Sequence, residues 1–215
     1  TGLENIPSGR MIVISNHSGQ LPFDGMMIET AFLIDAQQPR LLRAMAERWS
    51  AELPFISTFF VRGGQIVGKR NSCKRLLEMD EAVIVFPEGV KAINKLFQQR
   101  YQLYPFGHGF LRLALETGAP IVPIGLVGAE EQAPAIANLT TIAKLLDLPA
   151  LPLIFPQLVP LPLPTRYYIQ IGEPLYFSGD GTEDEDVIAG YVNQTKKAIR
   201  KLLDQGLKTR RNIFL

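Results

Sequence analysis

The sequence predicts an α/β fold: a single domain with a mostly parallel central sheet flanked by helices. Strand-like runs alternate along the chain with helical segments, and this alternation is typical of a parallel sheet. Two runs, 11–15 and 82–86, are almost wholly apolar and rich in β-branched residues, as expected of strands buried on both faces. At 215 residues, the chain is long enough to bury a substantial core in one domain.

The remaining elements follow from the same patterns, and no internal repeat interrupts them. Strands are expected near residues 11–15, 41–45, 82–86, 121–127 and 166–171. Helices are expected near residues 24–35, 50–59, 66–79, 109–117, 136–147 and 184–205. Gly118 is expected to end the helix that precedes it, because glycine readily adopts the left-handed conformation of a helix C-terminus.

Composition narrows the class of function. Hydrophobic residues make up 47% of the chain, charged residues only 20%, and the mean hydropathy is +0.09. The net charge of +1 lacks the basic field of a nucleic-acid-binding protein, so no nucleic-acid partner is expected. A single cysteine, Cys73, excludes an internal disulfide and a cysteine-based metal cluster. The apolar balance predicts a surface that meets lipid, and the single cysteine is consistent with the cytoplasmic side of a membrane.

The segment 148–163 is apolar but contains five prolines, which exclude a continuous membrane-spanning helix. Two interpretations remain open for it. It is either an irregular surface segment whose leucines pack on the core, or an apolar loop that touches the bilayer or lines an acyl channel.

A histidine and an aspartate follow the first strand. His17 lies in a turn containing glycine and proline, where its ring can face a cleft, and Asp24 lies seven residues further on. An aspartate at that distance can bind one ring nitrogen and leave the other to take a proton from a hydroxyl group. The alternative is that Asp24 only caps the following helix and that His17 is a hydrogen-bonded loop residue. The two interpretations are compatible.

A second polar segment follows the strand 82–86. Glu88, Gly89 and Lys91 stand where the carboxyl edge of the sheet is expected, and open α/β folds bind ligands at that edge. Glycine there lets a ligand approach the backbone closely. An ordinary turn would produce the same residues.

Together these motifs resemble the glycerolipid acyltransferase family that includes the 1-acylglycerol-3-phosphate O-acyltransferases. The family carries Asn-His followed by Asp, a motif with an arginine, Phe-Pro-Glu-Gly, and a Val-Pro strand. The chain has the corresponding residues in the same order between positions 16 and 124: Asn16, His17, Asp24, Arg62, Phe86, Pro87, Glu88, Gly89, Val122 and Pro123.

The resemblance implies a glycerol-phosphate-acyltransferase-like fold over residues 1–215, with any N-terminal membrane anchor lying outside this chain. It implies transfer of a fatty acyl group from acyl-CoA or acyl-carrier protein to a lysophospholipid or glycerolipid hydroxyl. His17 would act as the general base and Asp24 would orient it. Arg62, Glu88, Gly89 and Lys91 would bind the acceptor, and backbone N–H groups near Gly89 or in the 17–20 turn would stabilise the oxyanion. The acyl thioester is a co-substrate, and no cofactor or metal is expected.

Two departures from the family pattern bear on the acceptor and on activity. Six residues separate His17 from Asp24, where the family usually has four. Val90 and Lys91 follow Gly89 where the family usually has Thr and Arg, and lysine lacks the two-pronged geometry that arginine offers to phosphate. A neutral acceptor such as a monoacylglycerol, diacylglycerol or long-chain alcohol is therefore one alternative. A catalytically inactive lipid-binding module on the same scaffold is another.

Overall fold

The computed structural model describes residues 1–18, 23–46, 58, 65–67, 70–145, 151–154 and 162–214. The strands of the described residues are β1 Met11–Ser15, β2 Leu42–Ala46, β3 Ile66–Val67, β4 Ala82–Val85, β5 Ile121–Val127, β6 Ala135–Asn138, β7 Pro152–Ile154 and β8 Tyr168–Ile171. The α-helices with described bounds are α1 Phe23–Thr30, α2 Arg70–Glu78, α3 Gly109–Thr117, α4 Ala129–Gln132, α5 Thr140–Leu145 and α6 Glu185–Thr209. Shorter helical turns are Leu3–Asn5, Ala31–Asp35, Gly89–Asn94 and Phe97–Gln99.

The main sheet has the strand order β3-β2-β4-β1-β5-β8. Strand β1 lies between β4 and β5 and is parallel to both, while β8 is an antiparallel edge strand. β6 and β7 form a separate antiparallel pair. The predicted α/β fold with a mostly parallel sheet is confirmed, and β1 is buried on both faces because helices cover both sides of it.

Alternation along the strands builds two cores. Ile12 and Ile14 face one side of β1, where they share a core with residues of α2, α3 and α6. Met11 and Val13 face the other side and share a core with residues of α1 and the turn that follows it. This three-layer arrangement leaves the carboxyl ends of β1 and β4 side by side at one edge of the sheet.

The long helix α6 packs directly on β5 and β8. Gly125 makes this approach possible, because a side chain there would place its Cβ 2.6 Å from the backbone nitrogen of Leu203. Ile188, Ile199 and Leu203 of α6 are fully buried in the core beneath it. The helix thereby covers one face of the sheet at β5 and β8.

The structure corrects two of the predicted helices. Ile66–Val67, expected at the start of a helix, pairs with β2 as a short parallel strand, and α2 is described over Arg70–Glu78. Ala135–Asn138 pairs with β7, so the first residues of the predicted helix 136–147 form a strand, and among its described residues 140–145 are helical. Short apolar runs are ambiguous between helix and strand, and here the pairing with a distant strand decides.

Some predicted features fall outside the described residues. The predicted helix 50–59 does so except for Thr58, and so does most of the Pro-rich segment 148–163, of which Pro152–Ile154 is a strand. The other predicted strands and helices are found with shifts of a few residues at their ends.

Candidate active site

Asn16, the residue directly after β1, fixes the end of that strand. The Asn16 side chain donates to the backbone oxygen of Leu126 (3.0 Å) and accepts from the backbone N–H of the same residue (2.8 Å). Asn16 is fully buried, so this pair of bonds extends the sheet pairing between β1 and β5 by one residue. His17 therefore leaves the sheet from a fixed point.

The structure brings His17 and Asp24 together despite the longer loop. The Nδ1 atom of His17 lies 2.6 Å from Oδ2 of Asp24, and the Asp24 side chain is only 1% exposed. Asp24 also accepts from the Ser18 N–H (3.0 Å), the Ser18 hydroxyl (3.1 Å) and the Gly25 N–H (2.7 Å). Asp24 is thus the second residue of α1 and at the same time the partner of the histidine.

These contacts set the charge of the pair. Burial alone lowers the pKa of His17, but the charge of Asp24 and its hydrogen bond outweigh burial and raise that pKa above 6.5. Burial likewise raises the pKa of Asp24, but His17 and the N–H donors of Ser18 and Gly25 outweigh it and lower that pKa. Because an ionised carboxylate only accepts, Nδ1 carries the proton and Nε2 is the basic nitrogen of the neutral ring.

The ring of His17 is held from one more side. It stacks on Phe86 with ring centroids 4.5 Å apart, and 19% of the side chain remains exposed. An oriented imidazole with a protonated Nδ1 and partial access to solvent can act as a general base toward a bound hydroxyl group.

Glu88 lies buried beside the backbone of His17. Its side chain is fully buried, pairs with Lys95 Nζ (2.9 Å) and accepts from the backbone N–H groups of His17 (3.1 Å) and Tyr104 (2.8 Å). Both carboxylate oxygens are therefore engaged within the chain. Glu88 thus connects the strand end of β4 to the backbone of His17, and its expected role in binding the acceptor stays a prediction.

Lys95 is a site residue that sequence reasoning missed. It is 1% exposed and donates to the backbone oxygen of His17 (3.1 Å), and its Nζ lies 5.3 Å from the ring centre of Tyr104. It also lies 3.8 Å from Glu130, whose pKa is raised to about 7, chiefly by burial. Lysine is common on protein surfaces, and nothing in the sequence around position 95 distinguishes this one.

The other predicted acceptor-binding residues stand in three different situations. Gly89 has a positive φ of 57°, and a Cβ built there would have no neighbour within 4 Å among the described residues. Lys91 is exposed on the short helical turn that begins at Gly89. Arg62 lies outside the described residues.

Three backbone N–H groups expected near the reacting carbonyl are already engaged. The N–H of His17 donates to Glu88, that of Ser18 to Asp24, and that of Gly89 to the oxygen of Phe86 (3.0 Å). None of the three is free to stabilise an oxyanion in this conformation. Residues 19 and 20 of the predicted turn lie outside the described residues.

An apolar cavity of about 260 Å³ adjoins the site. Phe86, which stacks on His17, is one of its walls, and α2 and α3 contribute Cys73, Phe110 and Leu113. Burial raises the pKa of the Cys73 thiol to about 11, so this thiol stays protonated at neutral pH. In the part of the chain that the structure describes, no three histidine, cysteine or carboxylate side chains are grouped as metal ligands would be.

Comparison with known proteins identifies the family of this chain. The family model described as Acyltransferase matches residues 1–127, more than half of the chain. The chain belongs to this acyltransferase family.

Relatives and a solved structure extend the comparison beyond residue 127. Uncharacterised proteins of Mycobacterium leprae and Mycobacterium tuberculosis are each 37% identical over 224 residues, covering 100% of this chain and 61% and 63% of their own lengths. A Bos taurus protein named DGAT1/2-independent enzyme synthesizing storage lipids is 22% identical, covering 99% of this chain and 61% of that protein. The chain thus spans about three fifths of the curated relatives it matches.

A crystal structure shares the fold. The 1-acyl-sn-glycerophosphate acyltransferase PlsC of Thermotoga maritima superposes with a TM-score of 0.60 at 20% identity, covering 99% of this chain and 72% of that chain. This agreement supports the arrangement of sheet and helices that places β1 and β4 side by side.

Proposed function

We propose that this acyltransferase-family chain transfers a fatty acyl group from a thioester to a hydroxyl of a glycerolipid acceptor. The observation that carries the proposal is the buried His17–Asp24 pair at the carboxyl edge of the sheet. In this family a substrate hydroxyl is the nucleophile, and a histidine oriented in this way supplies the base it needs.

In the proposed reaction, Nε2 of His17 takes the proton as the acceptor oxygen attacks the thioester carbonyl. Asp24 stabilises the imidazolium that forms. The tetrahedral intermediate collapses with loss of the thiolate, which receives the proton from His17 and leaves as the free thiol of coenzyme A or acyl-carrier protein. An ester is formed, a thioester is broken, and His17 returns to its neutral state. General-base help of this kind is worth roughly 10²–10⁴-fold.

The apolar cavity supports an acyl substrate. Its walls include the side chains of Val85, Phe86, Phe110 and Leu113, and an alkyl chain bound against them would remove apolar surface from water. Because Phe86 contacts both the cavity and the ring of His17, a chain in the cavity would bring its carbonyl end toward the base.

For the acceptor head, the proposal keeps the predicted residues Arg62, Glu88, Gly89 and Lys91. The exposed ammonium group of Lys91 would pair with a phosphate such as that of 1-acylglycerol-3-phosphate. We expect Arg62→Ala to raise the acceptor KM more than it lowers kcat, as loss of ground-state binding does. A pure effect on kcat would contradict that role.

A neutral acceptor is the second candidate. The printed name of the Bos taurus relative describes synthesis of storage lipids, and this chain has Val90 and Lys91 where the family pattern described above usually has Thr and Arg. A monoacylglycerol or diacylglycerol needs no cation at this position, because it carries no phosphate.

A membrane surface would deliver either acceptor. The helix that carries Asp24 exposes Met26 and Met27, and the turn after it exposes Leu33 and Ile34, the latter to 74%. Apolar side chains of this kind can enter the boundary of a bilayer. Among the described residues, no helix combines the length and the apolar character that crossing a membrane requires. Flotation with phospholipid vesicles tests the contact, and we expect Ile34→Glu to weaken it.

The deciding experiment measures release of the thiol from oleoyl-CoA and from oleoyl-acyl-carrier protein. Each donor is offered lysophosphatidic acid, monoacylglycerol or no acceptor, with the wild type, His17→Ala and His108→Ala. Release that requires His17 and lysophosphatidic acid supports the phospholipid reaction, and release only with monoacylglycerol supports the neutral one. Silence with every pair of substrates contradicts the enzyme proposal and favours a lipid-binding module.

A further inference from the structure

We propose that Lys95 is a positioning residue for His17, and that it acts by holding the backbone of His17 and by balancing the charge of Glu88. This rests on the proposed function, in which His17 is the general base. Lys95 directly follows the helical turn Gly89–Asn94, in the segment after β4.

The backbone of His17 is clamped at both of its polar groups. Its N–H donates to Oε1 of Glu88 (3.1 Å), and its carbonyl oxygen accepts from Nζ of Lys95 (3.1 Å). Glu88 and Lys95 are in turn paired with each other at 2.9 Å. The three residues form a closed ring of polar contacts, so a shift of Lys95 would shift the residue that carries the base.

Burial makes this clamp rigid. The side chains of Glu88 and Lys95 are 0% and 1% exposed, so water cannot readily replace their hydrogen bonds. Tyr104 contacts both members of the pair, since its N–H donates to Glu88 (2.8 Å) and its ring lies 5.3 Å from Nζ of Lys95.

The charge of Lys95 matters as well as its hydrogen bonds. Asp24 and Glu88 both favour the protonated ring of His17, and Lys95 opposes them. Glu130, 3.8 Å from Lys95, is the other carboxylate paired with it among the described residues. Without the ammonium group, the carboxylates would hold more of His17 in the imidazolium form, which cannot accept a proton.

The test compares Lys95→Met with Lys196→Met. Lys196 of α6 is a matched control, because it is also a lysine that holds a backbone carbonyl near the site. It donates to the backbone oxygen of Tyr104 (3.0 Å) and lies over the ring of Phe106, two residues further along the same loop, but it does not contact His17. We expect Lys95→Met to lower kcat by roughly 10²-fold, as a misplaced catalytic group does, with both KM values unchanged. The pH at which the rate is half-maximal should rise. Lys196→Met should change neither quantity.

A second readout does not depend on activity. The chain has two histidines, so the His108→Gln background leaves His17 as the only imidazole signal in a proton NMR titration. We expect Lys95→Met to raise the measured pKa of His17 in this background. A folded Lys95→Met protein with wild-type kcat and an unmoved His17 titration would overturn the proposal and leave Lys95 a purely structural residue.

Lys95→Met leaves Glu88 buried without its cation, and this can prevent folding. The double variant Glu88→Gln with Lys95→Met removes both charges and keeps the experiment decisive. It should titrate closer to the wild type than Lys95→Met does, but its kcat should stay low, because the His17 carbonyl still lacks its donor. Restored kcat in the double variant would contradict the positioning role. A wild type that is silent with all donors removes the proposed function, and the titration still tests the contact.

Discussion

The molecule contains two histidine–carboxylate pairs with nearly the same bond length and very different surroundings. His17 Nδ1 lies 2.6 Å from Asp24, and His108 Nδ1 lies 2.8 Å from Glu185. Asp24 is 1% exposed, whereas Glu185 is 71% exposed and its pKa is lowered by hydrogen bonds from His108 and Arg112. The contrast teaches that burial and a fixed backbone, more than the bond itself, distinguish a candidate catalytic pair from a surface contact.

The sharpest test of the contrast is removal of each histidine. We expect His17→Ala to reduce acyl transfer by roughly 10²–10⁴-fold, because it deletes the base. Its free energy of unfolding should fall by only about 1–2 kcal/mol, since Asp24 keeps its bonds from Ser18 and Gly25. His108→Ala is the control and should retain activity. Thiol-release rates and urea denaturation measure both effects, and equal rates for the two variants would remove His17 from the mechanism.

Removing the charge of the buried carboxylate should have the next largest effect. We expect Asp24→Asn to lower kcat by about 10²-fold or more, because an asparagine no longer favours the ring with the proton on Nδ1. Glu185→Gln should leave kcat unchanged. A silent Asp24→Asn variant with reduced stability would mean that Asp24 only caps α1.

The pH dependence gives a smaller, graded effect. Since Asp24 raises the pKa of His17, the rate should rise with pH through a midpoint above 6.5, and Asp24→Asn should move that midpoint down. The stabilisation from protonated His17 runs the opposite way: it is fully present below the unfolded-state pKa and is lost as pH rises through the folded-state pKa. Rates and unfolding free energies measured from about pH 5.5 to 9 check both trends. A midpoint below 6.5 in the wild type would contradict the assignment.

The smallest effect is expected at the exposed pair. Glu185→Gln should leave the denaturation midpoint almost unchanged at moderate salt, because exposed ion pairs are screened and contribute little. A clear loss of stability would show that this pair, which begins α6, is more than a surface contact. Urea denaturation at low and high salt distinguishes the two results.

The fold was largely readable from the sequence because its signals are local. Continuous β-branched runs predicted the central strands, and Gly118 predicted the end of α3, where it adopts the left-handed conformation. The short strands β3, β6 and β7 were missed, since their sequences lack the continuous β-branched runs of the central strands and only pairing with another segment makes them strands.

The candidate site likewise has a local part that the sequence predicts and a long-range part that it does not. His17 and Asp24 were identifiable because a histidine and an aspartate within seven residues, after a strand, form one local pattern. The hydrogen bonds that Glu88 and Lys95 make with the backbone of His17 could not be predicted from the sequence, because these residues lie 71 and 78 positions away from His17. Residue types and their order along the chain suffice to predict that the two side chains of this local motif meet. Only the packing of β1 against β4 decides which charged groups are buried beside it, since burial and pairing are properties of the folded chain.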